Sequence, residues 1–342
     1  MAIPSPDSSY STLQQIRTKV RRLTRSLSTS QLSQADLDNY INTFILYDFP
    51  EHLRLFTLRK TLTFYTQPYV DTYETNTVNS DDPLYNFNNK YISVHAPIYI
   101  AGYDSFFSQS REQFFSIYPK LSATRTTGST GDGVTTNFTG TLSSVPVLMN
   151  SVSFTSVGAD DIGLVVHDIP QTDGATGLPT TTGDLVVPGT TTSLGTIDYV
   201  TGEYDFDFPS APASGEVIYS QTVAHQVAQP KAVLYTENKF TLRPVPDKSY
   251  AVNVEVYARP SDILDDSAEA PELSQWWQYI AYGAAKKVFE DRNDMESVNQ
   301  IMPEFQQQEL LVLRKTIVQN SNERTATIYT EQTEPGVLNT GW

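Results

Sequence analysis

The chain has 342 residues, no cysteine and a formal net charge of −16. Without cysteine there are no disulfides, no thiolate catalysis and no cysteine-ligated zinc, and the excess of carboxylates excludes a general nucleic-acid-binding role, which needs lysine and arginine against phosphate. The length predicts two domains.

Two amphipathic helices are predicted near the start of the chain. In the first, over about 9–28, apolar residues recur at spacings of three and four, at Leu13, Ile16, Val20, Leu23 and Leu27. Its other faces carry Arg17, Lys19, Arg21, Arg22 and Arg25, which form either a solvated face or a contact for protein or nucleic acid. The second helix, over about 33–47, begins with a capping-box pattern at Ser33 and Asp36.

The next segments predict extended structure and a long loop. Residues 53–75 are rich in β-branched and aromatic side chains, which favours a strand or an extended arm interrupted at Pro68. Residues 76–97 are rich in Asn and Asp and predict a loop that contacts another subunit. Either Ser108 or Ser110 is placed to cap a short helix after it.

An acidic block follows, with eleven Asp and Glu and no Lys or Arg between Thr126 and His225. Short alternating runs are separated by Gly, Thr, Ser and Pro, and this pattern predicts six or seven strands in a sandwich or small barrel. The Gly-rich stretch 127–135 is interpreted as a linker or hairpin turn.

The segment "GTIDYVTGEYDFDF", residues 195–208, is typical of a β-hairpin that turns at Thr201 and Gly202. Alternation places one set of side chains inside the fold: Ile197, Tyr199, Tyr204, Phe206 and Phe208. It places Asp198, Glu203, Asp205 and Asp207 in water. Asp198, Asp205 and Asp207 are a weak calcium candidate, and the alternatives are catalysis by desolvated carboxylates or like charges that discourage edge pairing.

The C-terminal third predicts strands and then helices. Residues 231–259 alternate as strands, with a turn at Asn238 and Lys239. Helices are predicted over about 271–291 and 294–320, with Trp276, Trp277 and Phe305 as core anchors. Residues 321–342 predict a polar, extended arm.

No motif in the sequence favours an enzyme. His52, His95, His167 and His225 lie at no metal-ligand spacing and are interpreted as lone surface histidines. The nucleophile elbow, the phosphate-binding loop and the dinucleotide fingerprint are all absent from the sequence. We therefore expect no catalytic site, no cofactor and no bound metal.

Three segments resemble the head-to-tail adaptor, or connector, proteins of tailed bacteriophages. They are "LDNYINTFILYDFPEHLRLFTL" (37–58), "APIYIAGYDSFFSQSREQFFSIYP" (96–119) and the long run from Trp276 to Ile328. The resemblance implies a structural virion protein made in the host cytoplasm: a helix bundle with a β arm, assembled as a twelve-fold ring beneath the portal. Its implied partners are the portal, the tail nozzle or tube, and genomic DNA that passes during ejection without sequence-specific binding.

The chain is therefore expected to contain an adaptor core interrupted by one inserted domain. The fold class is α+β, with an adaptor core of residues 1–124 and 226–342 and an inserted sandwich-like β-domain at 125–225. The insert is expected to dock or brace a fibre, spike or other tail protein, or merely to decorate the ring. The extended arm docks on the portal through Glu323, Arg324, Thr325, Ala326, Thr327, Ile328 and Tyr329. The alternative function is a tail or baseplate accessory protein with a glycan-binding β-module.

Overall fold

The computed structural model describes residues 11–314, apart from residues 54, 76, 78, 176, 261–267 and 269. Its helices are α1 (Leu13–Leu23), α2 (Gln34–Thr43), α3 (Phe49–His52), α4 (Phe87–Lys90), α5 (Arg111–Ile117), α6 (Trp277–Asp291) and α7, helical over 295–314. A π-helical turn, Phe44–Asp48, joins α2 to α3. None of the helices described is long and apolar enough to cross a membrane.

Two of the predicted helix starts are confirmed by their caps. The Ser33 hydroxyl accepts a hydrogen bond from the Asp36 backbone N–H and donates one to the Asp36 carboxylate. The Ser110 hydroxyl accepts a hydrogen bond from the Gln113 backbone N–H and so caps α5. Each serine satisfies a backbone donor that the helix leaves without a partner in its first turn.

One hydrophobic cluster unites helices from the two ends of the chain. Its buried members include Ile16 of α1, Leu37 of α2, Ile280 of α6 and Phe305 of α7. The predicted stripe on α1 is confirmed at Leu13, Ile16 and Val20, which are all buried.

The prediction for the end of α1 and for its basic face is partly wrong. Leu27 is 74% exposed, because the helix stops at Leu23. Arg17 is buried, and its Nε and Nη2 donate to the two carboxylate oxygens of Asp38 at 2.6 and 2.7 Å. The basic side chains of α1 are therefore not one solvated face.

A seven-stranded sheet occupies the middle of the sequence on both sides of the acidic block. Its strands run in the order β1-β15-β3-β4-β13-β14-β2, with β4 and β13 parallel. Their bounds are β1 (Arg59–Tyr65), β2 (Thr72–Glu74), β3 (Tyr91–Ile100), β4 (Tyr103–Ser108), β13 (Ala232–Thr236), β14 (Lys239–Arg243) and β15 (Ala251–Ala258). The predicted turn is confirmed at Asn238 but lies one residue earlier, because Glu237 and Asn238 have positive φ and Lys239 already begins β14.

An eight-stranded sheet holds the acidic block. The strands are β5 (Ala123–Thr130), β6 (Asn137–Thr141), β7 (Ser153–Val157), β8 (Gly163–Thr172), β9 (Pro179–Val186), β10 (Ser193–Asp198), β11 (Glu203–Asp207) and β12 (Val217–Thr222). They follow the order β5-β12-β7-β8-β9-β10-β11-β6, and every neighbouring pair is antiparallel. The two end strands, β5 and β6, contact each other, so the sheet is nearly closed.

The predicted α+β class with a helix-bundle adaptor core and a sandwich-like insert is wrong. The described residues are mostly β, with fifteen strands in two sheets. The segment 53–75, predicted to be a strand or an extended arm, forms β1 and β2, whereas the segment 76–97, predicted to be a loop, also contains the first residues of β3. These strands pair with β14 and β15, because β-branched and aromatic side chains on both sides of the acidic block can share one apolar face. The acidic block is one continuous sheet rather than two packed layers.

Contact clustering divides the chain into two compact units. One contains residues 1–60, 89–94 and 256–342, and it holds the helical cluster. The other contains residues 61–88 and 95–255, and it holds the eight-stranded sheet and most of the seven-stranded sheet. The boundaries predicted for the inserted domain, 125–225, stay a prediction.

Candidate functional site

The hairpin β10–β11 presents carboxylates to water because its apolar side chains all point inward. Gly195 pairs with Phe206 and Ile197 pairs with Tyr204 across the two strands. The five side chains predicted to be inside are buried, each with 5% of its surface exposed or less: Ile197, Tyr199, Tyr204, Phe206 and Phe208. The predicted alternation is therefore confirmed, and the intervening acids face outward.

These acids belong to a larger surface, which we name the acidic outer face. It consists of Asp184, Asp198, Glu203, Asp205 and Asp207 on β9, β10 and β11. In the register, Thr196 lies opposite Asp184 on one side and Asp205 on the other. Two inter-strand spacings separate those two carboxylates, roughly 10 Å.

The calcium candidate residues each have another partner. The Asp198 Oδ1 accepts the backbone N–H groups of Val200 and Thr201. Asp205 accepts from the Asn137 side chain and Asp207 from the Thr136 hydroxyl. Within the described part of the chain, no three His, Asp or Glu side chains form a group that could hold a metal ion.

Beneath this face lies a buried carboxylate that the sequence analysis missed. Asp168 on β8 is 3% exposed and accepts hydrogen bonds from the Asn150 N–H, the Val152 N–H and the Tyr199 hydroxyl, at 2.6, 2.8 and 2.8 Å. Burial raises the pKa of Asp168, and burial together with the Asp168 charge raises the pKa of the Tyr199 hydroxyl. The hydrogen bonds of the Asp168 carboxylate therefore connect the loop before β7 to β8 and to the β10–β11 hairpin.

A signal for Asp168 was present in the sequence. Leu164 and Val166 point into the sheet interior, and Asp168 continues their period of two along β8. A carboxylate in phase with inward residues predicts a buried acid that needs donors.

A concave surface in the helical unit contains one of the predicted core anchors. It has a volume of about 650 Å³, and its apolar lining includes Phe44, Tyr279 and Phe305. The Tyr279 and Phe305 rings stack with their centroids 4.9 Å apart. Phe305 is buried, whereas Trp276 and Trp277 are only partly buried against the helical cluster.

The rim of this groove is already neutralised by ion pairs. Lys287 contacts Asp48 at 2.6 Å, Lys286 contacts Glu290 at 3.6 Å, and His52 contacts Glu309. Because its charges are paired, the groove attracts a charged partner less strongly than the unpaired acids of the acidic outer face do.

The expectation of four lone surface histidines is wrong for His225. Both of its ring nitrogens are buried without a hydrogen-bond partner among the described residues. Burial, followed by the nearby Arg243 charge, lowers the pKa of His225 to about 4. His52, by contrast, has an exposed side chain.

The predicted portal-docking residues, Glu323 to Tyr329, lie outside the described residues. Comparison with protein-family models and with curated proteins found no match to this chain.

Proposed function

We propose that this protein is a structural component of a tailed-phage virion, an adaptor that joins the portal to the tail by binding neighbouring proteins. The observation that carries the binding role is the acidic outer face, an exposed surface of a single charge sign on an ordered sheet. The position in the virion is supported by the sequence resemblance of residues 37–58, 96–119 and 276–328.

The resemblance supports the role but not the bundle that it implied. Its first segment contains α3 and most of α2, and its last contains α6 and α7, and these helices share the hydrophobic cluster. Its middle segment, 96–119, forms the second half of β3 as well as β4 and α5. We therefore retain the ring beneath the portal, the portal and tail contacts and the passing DNA as proposals.

The acidic outer face suits protein association better than catalysis. Its carboxylates are spread over three neighbouring strands of an open surface, and the acidic block contains no Lys or Arg to neutralise them. A field of one sign steers a basic partner and repels DNA. We propose that a fibre, spike or tail protein with a basic surface docks here.

The glycan-binding alternative gains no support from the same surface. Stacking on sugars needs outward aromatic rings. Among the described residues of the eight-stranded sheet, Tyr219 is the single exposed aromatic side chain, and the other rings are buried.

The docking role is tested by neutralising the charge of one strand. The variant Glu203→Gln, Asp205→Asn and Asp207→Asn removes three charges from the acidic outer face. Its matched control, Asp160→Asn, Asp161→Asn and Glu216→Gln, removes three exposed charges of the same block outside that face. All six substitutions are nearly isosteric, so both proteins should fold.

We expect the first variant to bind the partner at least about tenfold more weakly at low salt, because charge steering is lost. The particles should then lack the attached component in electron micrographs. The control should assemble complete particles. Complete particles from both variants would leave the block as decoration of the ring.

A further inference from the structure

A second charged feature of the chain is a cationic cavity in the unit that contains the two sheets. Its volume is about 300 Å³, and its lining includes Tyr118, Lys120, His225 and Arg243. No Asp or Glu is among the described residues that line it. In a chain with a net charge of −16, a cavity whose charged lining residues, Lys120 and Arg243, are both cations needs a specific explanation.

Arg243 lies in this cavity wall with part of its hydrogen-bonding capacity unused. Its side chain is 9% exposed, and its Nη1 donates to Asp71 Oδ2 at 2.7 Å and to the Leu242 carbonyl at 2.9 Å. Its Nη2 is buried and has no partner among the residues described. A buried guanidinium N–H without an acceptor destabilises the folded chain, so native proteins normally give it one.

His225 lies in the wall of the same cavity and is also unsatisfied. Both ring nitrogens are buried without a hydrogen bond from the described part of the chain. A neutral imidazole offers one N–H donor and one acceptor. Arg243 and His225 thus both line this cavity, and both have hydrogen-bonding nitrogens without a partner among the described residues.

Lys120 adds a charge where the cavity meets solvent. Its side chain is exposed, and its amine lies 5.3 Å from the centre of the Phe115 ring. Asp71 offsets the charge of Arg243 through their ion pair, and this leaves the Lys120 charge in excess at the cavity.

We propose that this cavity binds a small oxyanion, either inorganic phosphate or a carboxylate. Arg243 Nη2 and the His225 N–H would donate to its oxygens, and Lys120 would supply the opposing charge. Oxygen acceptors with negative charge form the stronger, charge-assisted kind of hydrogen bond with a guanidinium. The volume is at the lower limit of small-molecule sites.

The test is titration calorimetry on the full chain at constant ionic strength, with sodium phosphate in one arm and sodium acetate in the other. We expect saturable binding that weakens about tenfold, or roughly 1.4 kcal/mol, in the variants Lys120→Met and His225→Phe. Lys248→Met is the matched control, because the Lys248 amine also lies over an aromatic ring, that of Tyr250, at 6.0 Å. The control should keep the binding of the unchanged protein.

The two arms distinguish the source of the oxyanion. Binding of phosphate alone would assign the site to phosphate, and binding of both would assign it to oxyanions in general. Absence of saturable binding in both arms would overturn the proposal, and the cavity would then be a solvent-filled space. Equal weakening by Lys120→Met and Lys248→Met would also overturn it, since the anion would then be held by general surface charge. Circular dichroism melts of each variant establish that the fold is retained.

Discussion

Asp168→Ala should destabilise the eight-stranded sheet by about 3–5 kcal/mol, the largest single-residue effect that we expect. The alanine would leave three buried donors without an acceptor, the N–H groups of Asn150 and Val152 and the Tyr199 hydroxyl. Tyr199→Phe removes only one of these hydrogen bonds and should cost about 1 kcal/mol. Asp205→Ala, at an exposed position of the same sheet, should stay within about 0.5 kcal/mol.

Hydrogen–deuterium exchange is the suitable measurement for this comparison. The tryptophans are Trp276, Trp277 and Trp342, so tryptophan fluorescence does not report on the eight-stranded sheet. Exchange in peptides from β7 and β8 reports the opening of the sheet itself. A change below about 1 kcal/mol for Asp168→Ala would contradict the structural role given to its carboxylate.

Protein stability should fall as the pH is lowered from about 6.5 to about 4, and His225 should be responsible for part of this loss. The pKa of His225 is lower in the folded chain than the ordinary value of 6.5, so only the unfolded chain binds the proton in that interval. The stability that the neutral His225 contributes is fully present above the pKa of the unfolded chain. It is lost as the pH falls toward the pKa of His225 in the folded chain. The full loss is about 3 kcal/mol, at roughly 1.4 kcal/mol for each pH unit.

The contribution of His225 is isolated by difference. Urea unfolding is followed by circular dichroism at about pH 7 and pH 5, in buffer free of phosphate, for the unchanged protein and for His225→Phe. We expect the unchanged protein to lose about 2 kcal/mol more than the variant over this range. An identical pH response in His225→Phe would contradict the assignment.

Comparing the variants under matched conditions is necessary because Asp168 acts in the opposite direction. Its pKa is raised in the folded chain, so its contribution is present below the ordinary value of 3.8 and is lost as the pH rises through the folded pKa. The pH dependence of the unchanged protein alone would therefore mix two titrations.

The local sequence pattern was sufficient to predict the β10–β11 hairpin. Such patterns did not predict strands that pair with distant segments or strands whose side chains are mostly exposed. The 195–208 segment combines a period of two with a glycine turn, so its buried set followed from the sequence. β3 was not predicted, because Pro97 interrupts its alternating pattern and the preceding residues are typical of a loop. β5 has mostly exposed residues and therefore no hydrophobic alternation to detect.

The two charged features that matter most were only partly accessible from the sequence. The acidic outer face follows from alternation along single strands. The cationic cavity does not, because Arg243 is 172 residues from its partner Asp71 and meets His225 only through the fold. The fold class was missed for a similar reason, since the seven-stranded sheet pairs strands from both sides of the acidic block.

Electron cryomicroscopy of intact particles tests the position that we propose for this chain in the virion. We predict density for the chain in a closed ring between the portal and the tail, in about twelve copies per particle. The eight-stranded sheet should contact another protein through the acidic outer face. Location at a baseplate or fibre, in about three or six copies, would contradict the proposed role.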